Sequence, residues 1–303
     1  MSQETVSGWV TRFQSGFYTV QIEDKKVTCS LRGRLKRRSF QGDIISVGDR
    51  VQVSLQTDGT GAIELIEPRH SELVRLDPIP KGMFRQILLS NPDQVVAVFA
   101  CAQPEPHLRM LDRFLVIAEK QGLKAVIVAN KVDLVGLSAA KKIFSIYPDL
   151  GYPVVYTSAA KSEGLNQFQE ILKDRISALT GPSGVGKSSL LNKLQPGLGL
   201  AVREISKFNE RGRHTTAVRE MFPLDFGGYV ADLPGLRRLS LWDTQPEELD
   251  GYFPELRGLV SQCQFNDCTH MDDPGCAVVK AVEEGTVSPE RYESYVRMRL
   301  GDA

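Results

Sequence analysis

The sequence has no long hydrophobic run, no net charge and few cysteines. The longest near-continuous apolar stretch, Val95 to Ala102, falls far short of the ~20 residues that cross a bilayer, so no membrane partner is expected. Lysine plus arginine and aspartate plus glutamate both number 37. The overall charge therefore gives no drive towards nucleic acid, and any basic surface has to be local. Five cysteines in 303 residues make no disulfide scaffold. No basic segment followed by an apolar one opens the chain, so no secretory signal is read and a cytoplasmic location is expected. Internal repeats and low-complexity tracts are also absent from the sequence. Against these absences, 42% of residues are apolar and 24% charged, enough apolar surface to offset the entropy of ordering. The length suggests about two domains or three small modules.

Residues 1 to about 70 read as short strands (Val6 to Phe13, Gly16 to Ile22, Lys26 to Arg32, Arg50 to Leu55, Ala62 to Ile66) separated by Gly, Ser and Asp. Five such strands fit an OB-like barrel or an SH3-like one. Pro68 and the stretch around Pro78, Pro80 and Gly82 read as a linker. From about 90 to 240, apolar strands alternate with amphipathic helices, which is the pattern of a mainly parallel α/β sheet. A short helix is expected near Pro246 with Thr244 as its cap. A last helix is expected with Ser288 as N-cap and Pro289 at the first position. The expected division is 1–70, 71–240 and 241–303.

Gly181-Pro182-Ser183-Gly184-Val185-Gly186-Lys187-Ser188 fits G-x-x-x-x-G-K-[ST], directly after a strand and before a helix. The glycines let backbone N–H groups turn around phosphate oxygens, and the helix N-terminus adds positive potential. Lys187 is expected on the β- and γ-phosphates, Ser188 on Mg²⁺ and Ser189 beside them. Asn130-Lys131-Val132-Asp133 follows the strand Lys124 to Ala129. A carboxylate at Asp133 accepts both N1–H and N2–H of guanine, donors that adenine lacks. Backbone N–H groups of Ser158-Ala159-Ala160 are placed to bond guanine O6. Asp232-Leu-Pro-Gly235 follows the strand Tyr229 to Ala231. Asp232 suits Mg²⁺ through water, and the Gly235 N–H suits the γ-phosphate. Between these lies the polar segment Lys207 to Thr216, where Thr215 or Thr216 is expected to close on Mg²⁺.

Cys263-x4-Cys268-x-His270-x5-Cys276 offers three thiolates and one imidazole, the donor set of a closed structural Zn²⁺ site. Cys29 and Cys101, by contrast, read as small buried side chains. Arg32, Arg34, Lys36, Arg37 and Arg38 form a local basic run suited to RNA phosphates. Trp9, Phe13, Phe17 and Tyr18 are candidates for base stacking, although most aromatics of a small barrel are core.

The guanine-reading elements precede the phosphate-binding ones, a circular permutation of the usual GTPase order. With the barrel and the cysteine cluster, this pattern resembles the small ribosomal subunit biogenesis GTPase family, RsgA (YjeQ-type), over essentially the whole chain. The resemblance implies binding of GTP and GDP, and hydrolysis on the 30S subunit during its late maturation. It also implies contacts to 16S rRNA, stimulation by the subunit and a monomeric protein. Leu236 stands where Ras-like GTPases carry a water-orienting Gln, and His214 resembles the residue proposed to substitute. The segment after Gly235 runs straight into the zinc module, so γ-phosphate loss is expected to reorient that module. A P-loop kinase and a nucleotide-dependent RNA-binding protein with little catalysis are the alternatives.

Overall fold

The computed structural model describes residues 4–14, 16–36, 44–79, 82–196, 198, 220–232 and 244–301. Strands β1 (Val6–Gln14), β2 (Phe17–Ile22), β3 (Lys25–Leu31), β4 (Arg50–Leu55) and β5 (Gly61–Ile66) close into a barrel, with the helical turn α1 (Gly33–Lys36) after β3. Their order is β1-β2-β3-β5-β4, with β1 also paired to β4 and β3 parallel to β5. This is the OB arrangement, which decides between the two barrels that strand count leaves open. Strand alternation gathers Val10, Val20, Cys29, Val51, Val53 and Ile63 into the barrel core. Gly61 is required there, because a Cβ would lie 2.6 Å from Cys29 Sγ. The aromatics are less buried than expected. Phe13 and Phe17 are 43% and 58% exposed, and Phe13 stacks on Tyr18 with ring centroids 4.8 Å apart.

The stretch expected to be a linker is a hairpin. β6 (Glu72–Ile79) and β7 (Gly82–Ser90) form a two-stranded antiparallel sheet in which Pro78 pairs with Met83. Each strand of such a ribbon has a free edge, where proline is tolerated.

There follow β8 (Gln94–Ala100), α2 (Leu108–Lys120), β9 (Lys124–Asn130), α3 (Leu137–Ile143), α4 (Ile146–Asp149), β10 (Val154–Tyr156), α5 (Leu165–Leu172), β11 (Ile176–Thr180), α6 (Lys187–Leu194), β12 (Met221–Pro223) and β13 (Tyr229–Asp232). Strand order is β10-β9-β8-β11-β13-β12, with the β9–β10 and β11–β13 pairs parallel and β12 antiparallel to β13. β8 and β11 are wholly buried, which is why β8 reads as a near-continuous apolar run rather than an alternating one.

The C-terminal residues form a 3-10 segment (Pro246–Tyr252) and the helices α7 (Pro254–Val260), α8 (Ala277–Glu283) and α9 (Pro289–Arg299). Ser288 caps α9 as expected, its side chain accepting from the Arg291 N–H. Thr244 is not a cap. Gln245 holds that position without a side-chain bond, and Thr244 Oγ1 accepts from Lys120 Nζ at 3.1 Å. No helix among the described residues is long and apolar enough to cross a membrane.

The chain groups into two compact units. One comprises Met1–Val95, Asn166–Thr180 and Lys187–Leu236; the other comprises Val96–Leu165, Gly181–Gly186 and Arg237–Ala303. In the second unit the C-terminal helices are welded to α2. Val116 of α2 belongs to their hydrophobic core beside Leu249, Phe253, Leu256, Val278 and Tyr295. Arg291, 1% exposed, donates to Asp112 Oδ1 of α2 at 2.7 Å and to Glu255 Oε1 at 2.7 Å. Asp112 also accepts from Ser294 Oγ at 2.6 Å and Tyr147 Oη at 2.9 Å. Removing one member of a buried ion network leaves uncompensated charge, so Arg291→Met is expected to cost about 3–5 kcal/mol, read by denaturant unfolding.

Candidate functional site

Gly181–Gly186 links β11 to α6, which opens at Lys187. Gly181 has φ +133° because the Val98 carbonyl oxygen lies 2.0 Å from where its Cβ would stand. Gly184 and Gly186 also take positive φ. The loop therefore packs tightly while keeping backbone N–H groups available to an anion. Val185 is buried, Pro182 and Gly186 are half-buried and Ser183 is exposed. Lys187 and Ser188 are half-buried at the start of α6, and Ser189 is exposed.

Asn130 ends β9 with 1% exposure, and its side chain makes three hydrogen bonds. Nδ2 donates to the Val185 carbonyl at 2.8 Å, while Oδ1 accepts from Thr157 Oγ1 at 3.1 Å and from the Ala159 N–H at 3.3 Å. Asn130 is thus a strut between the phosphate loop and the Ser158-Ala159-Ala160 turn. Lys131 is in the left-handed region, φ 63°, where the chain turns into a 3-10 segment, Val132–Leu134. Its Nζ donates to the Gln103 carbonyl. Ser158 Oγ donates to Asp133 Oδ1 at 2.5 Å and accepts from the Lys161 N–H at 3.1 Å, fixing one oxygen of the Asp133 carboxylate. Burial, with a smaller contribution from the Asp133 charge, pushes the neighbouring Cys101 thiol up to about 11, an inert side chain as expected. A Cβ on Gly186 would stand 2.3 Å from Asn130 Nδ2 at φ +97°. Gly186→Ala is therefore expected to weaken nucleotide binding by about tenfold to a hundredfold, measured by titration with a fluorescent GDP.

Asp232 ends β13 in register with Leu179 of β11, two residues before Gly181. Its backbone thus lies at the carboxyl end of the strand beside the one that feeds the phosphate loop. His214, Thr215, Thr216, Gly235 and Leu236 lie outside the described residues, as do Arg37 and Arg38. Arg34 and Lys36 are placed in α1 by their backbone. Arg32 Nε donates to Glu64 Oε1 at 2.8 Å, on a side chain that stays 45% exposed.

The second cluster is a metal cradle. One donor atom each from Cys263, Cys268, His270 and Cys276 lie within 4.8 Å of one another. Cys263 Sγ and Cys276 Sγ are 4.0 Å apart, and each lies 3.5 Å from His270 Nδ1. A tetrahedron with Zn–S of about 2.3 Å has edges of about 3.8 Å, so the donor set fits Zn²⁺. Local structure aims the donors. His270 has φ 59°, Tyr292 Oη donates to its carbonyl at 2.8 Å, and Tyr295 Oη donates to the Thr269 carbonyl at 2.9 Å. Cys276 is the N-cap of α8, its sulfur accepting from the Val279 N–H at 3.4 Å. Asp250, which ligand spacing does not reveal, places Oδ2 3.1 Å from His270 Nε2 and fixes the imidazole so that Nδ1 faces the sulfurs. Asp250→Asn is expected to lower zinc affinity about tenfold to a hundredfold, read by competition with a chromophoric chelator.

A G-x-x-x-x-G-K-S loop preceded in the chain by the Asn130–Asp133 unit, on a sheet with a parallel core, defines a circularly permuted P-loop GTPase, an enzyme that hydrolyses GTP. The family model for the RsgA GTPase matches residues 66–242, and that for the RsgA N-terminal domain matches residues 7–63. The chain belongs to the RsgA GTPase family. It is 46% identical over 299 residues to the small ribosomal subunit biogenesis GTPase RsgA of Gemmatimonas aurantiaca, covering 97% of each chain. To the protein of that name from Thermotoga maritima it is 41% identical over 296 residues, 96% of this chain and 95% of the relative. Among solved structures it resembles YjeQ from Thermotoga maritima, with a TM-score of 0.80, 38% identity and 99% of each chain covered. It also resembles YloQ, a circularly permuted GTPase, with a TM-score of 0.75 and 30% identity over 99% of this chain and 95% of that one.

Proposed function

We propose that this chain hydrolyses GTP on the small (30S) ribosomal subunit during its late maturation and is stimulated by that subunit. The observation that carries the nucleotide part is the Asn130 strut, which ties the phosphate loop to the turn that would face guanine O6. Asp133 and the 158–160 turn read the base, Gly181 to Ser189 cradle the phosphates, and Lys187 neutralises them. Ser188, Asp232 and Thr215 or Thr216 hold Mg²⁺. Gly235 contacts the γ-phosphate, and His214 acts on water in place of a side chain that Leu236 does not supply. The ribosomal part is supported by the names of the full-length relatives. Function divides the chain into a barrel (1–70), a GTPase core (71–240) and a structural zinc module (241–303), in a monomeric cytoplasmic protein.

RNA contact belongs to the barrel side, where the basic run Arg34 to Arg38 and the exposed Phe13 and Phe17 lie in one chain segment. Residues 244–301 carry eleven Asp and Glu against five Lys and Arg, which disfavours phosphate gripping by the zinc module. The module's weld to α2 also means that any nucleotide-driven movement carries α2 with it or breaks the Arg291 pairs. The test is phosphate release from GTP and ATP, alone and with purified 30S or 50S subunits. Stimulation of GTP hydrolysis by 30S alone is expected. Equal stimulation by both subunits, or by neither, refutes the ribosomal reading, and transfer to an acceptor other than water establishes a kinase.

A further inference from the structure

At the amino ends of β11 and β13, where Ile176 lies in register with Tyr229, three elements of the first unit are pinned together. The β12–β13 hairpin turns there. The Gly227 N–H donates to the Leu224 carbonyl at 3.0 Å, and the Leu224 N–H donates to the Gly228 carbonyl at 3.0 Å. The tip is wedged against the turn that precedes β11. The Tyr229 N–H donates to the Arg175 carbonyl at 2.8 Å. A Cβ on Gly227 would stand 2.1 Å from Asp174 Oδ1, and one on Gly228 would stand 2.6 Å from the Arg175 backbone nitrogen and oxygen. Both glycines take positive φ, so the close approach and the turn each demand them. The tip is therefore fixed to the start of the strand that leads to Gly181.

α6 reaches this fixed tip through one side chain. Gln195 directly follows the helix, and its N–H still donates to the Leu191 carbonyl at 2.8 Å, so it moves with α6. Its amide meets two backbone groups of the tip. Nε2 donates to the Pro223 carbonyl at 3.4 Å, and Oε1 accepts from the Asp225 N–H at 3.0 Å. The other end of α6 carries Lys187 and Ser188, and the other end of β13 is Asp232. Helix and strand thus run antiparallel from a shared pin to the residues proposed to hold phosphate and Mg²⁺. A serine hydroxyl and an aspartate carboxylate are hard oxygen donors, the type that Mg²⁺ takes. The eight residues of α6 make a lever of roughly 12 Å, so a tilt at the pin is felt at Ser188.

We propose that Gln195 is a positioning residue for Mg²⁺-dependent nucleotide binding: its amide locks the far end of α6 to the β12–β13 tip and so sets Lys187 and Ser188 against the strand that ends in Asp232. The inference rests on the nucleotide roles proposed above. The test uses variants of the full chain. Gln195→Met keeps the length of the side chain and removes both bonds. Gln195→Glu keeps the acceptor for the Asp225 N–H. Asp225→Pro removes that N–H from the other side, at the second position of the Leu224–Gly227 turn, which proline favours. Fluorescent GDP is titrated with Mg²⁺ and with a chelator in its place, and thermal melting verifies folding. The ratio of the two affinities is the readout, because a merely structural role lowers both alike. Gln195→Met and Asp225→Pro are each expected to lower the ratio about fivefold, the double variant no further, and Gln195→Glu no more than about twofold. If Gln195→Met does not fold, Asp225→Pro decides alone. An unchanged ratio, an equal loss in both conditions, or losses that multiply in the double variant overturns the proposal. Wild-type protein whose GDP affinity ignores Mg²⁺ refutes the metal roles of Ser188 and Asp232, and this inference with them.

Discussion

Asp133→Asn is expected to exchange guanine for xanthine as the preferred base. The Asp133 carboxylate offers only acceptors, and Ser158 Oγ at 2.5 Å occupies one lone pair of Oδ1. In the proposed binding mode the remaining lone pairs accept from the N1–H and N2–H of guanine. An amide puts an NH₂ where one acceptor stood, facing another donor, and removes the charge that strengthened both bonds. Hydrogen bonds to a charged group contribute about 1.5–3 kcal/mol each, so GTP affinity falls by roughly a hundredfold or more. Xanthine carries a carbonyl in place of the 2-amino group. The new NH₂ donates to it while Asn Oδ1 still accepts from N1–H and from Ser158. Competition of GTP and XTP against fluorescent GDP and XDP measures the exchange. A variant that keeps its GTP affinity, or loses it without gaining XTP, removes Asp133 from base recognition.

The two candidate sites were legible in the sequence to different depths for a physical reason. The phosphate loop, the Asn130–Asp133 unit and the Cys/His cluster are contiguous, and their chemistry demands particular residue types at short spacings. Asn130 is recognisable in that way, yet its work as a strut to Val185 emerges only when residues 55 apart in sequence meet. Thr157 adjoins a recognised turn but carries no pattern of its own. Asp250 stands twenty residues before the imidazole it orients, in a polar helical turn that resembles many others. Arg291 and Asp112 are 179 residues apart, and a buried charge looks no different in sequence from an exposed one. The same local logic misread the hairpin, because Pro78, Pro80 and Gly82 mark linkers in most contexts, whereas a two-stranded ribbon tolerates them. Arg32 reads as part of a basic run, and its pair with Glu64 emerges only when the barrel closes.

Stripping zinc is expected to unfold the loop between α7 and α8 and to lower the melting temperature more than any surface substitution. Residues 261–276 contain no helix or strand, so a zinc ion on the four donors would supply the cross-link that regular structure does not. The loop also closes the hydrophobic core: Cys276 is one of its buried members, and Cys263 and Cys268 pack against it. Structural zinc sites contribute of order 10 kcal/mol, comparable with the whole stability of a domain. Cys263→Ala is the cleanest ligand deletion, because Cys276 also caps α8. The variant is expected to lose its zinc equivalent, measured by elemental analysis, and to expose the 261–276 backbone to hydrogen exchange. GDP binding is expected to persist, since none of the residues proposed to bind nucleotide lies in the loop. The pH dependence has a defined sign. Burial holds the Cys268 thiol up to about 12, with Cys276 and Cys263 adding to the rise, so metal must displace its proton at neutral pH. Zinc affinity therefore falls as pH falls, by about tenfold per pH unit for each thiol proton released. A stripped protein with an unchanged melting temperature and an unchanged exchange pattern would show that the module stands on its apolar core alone.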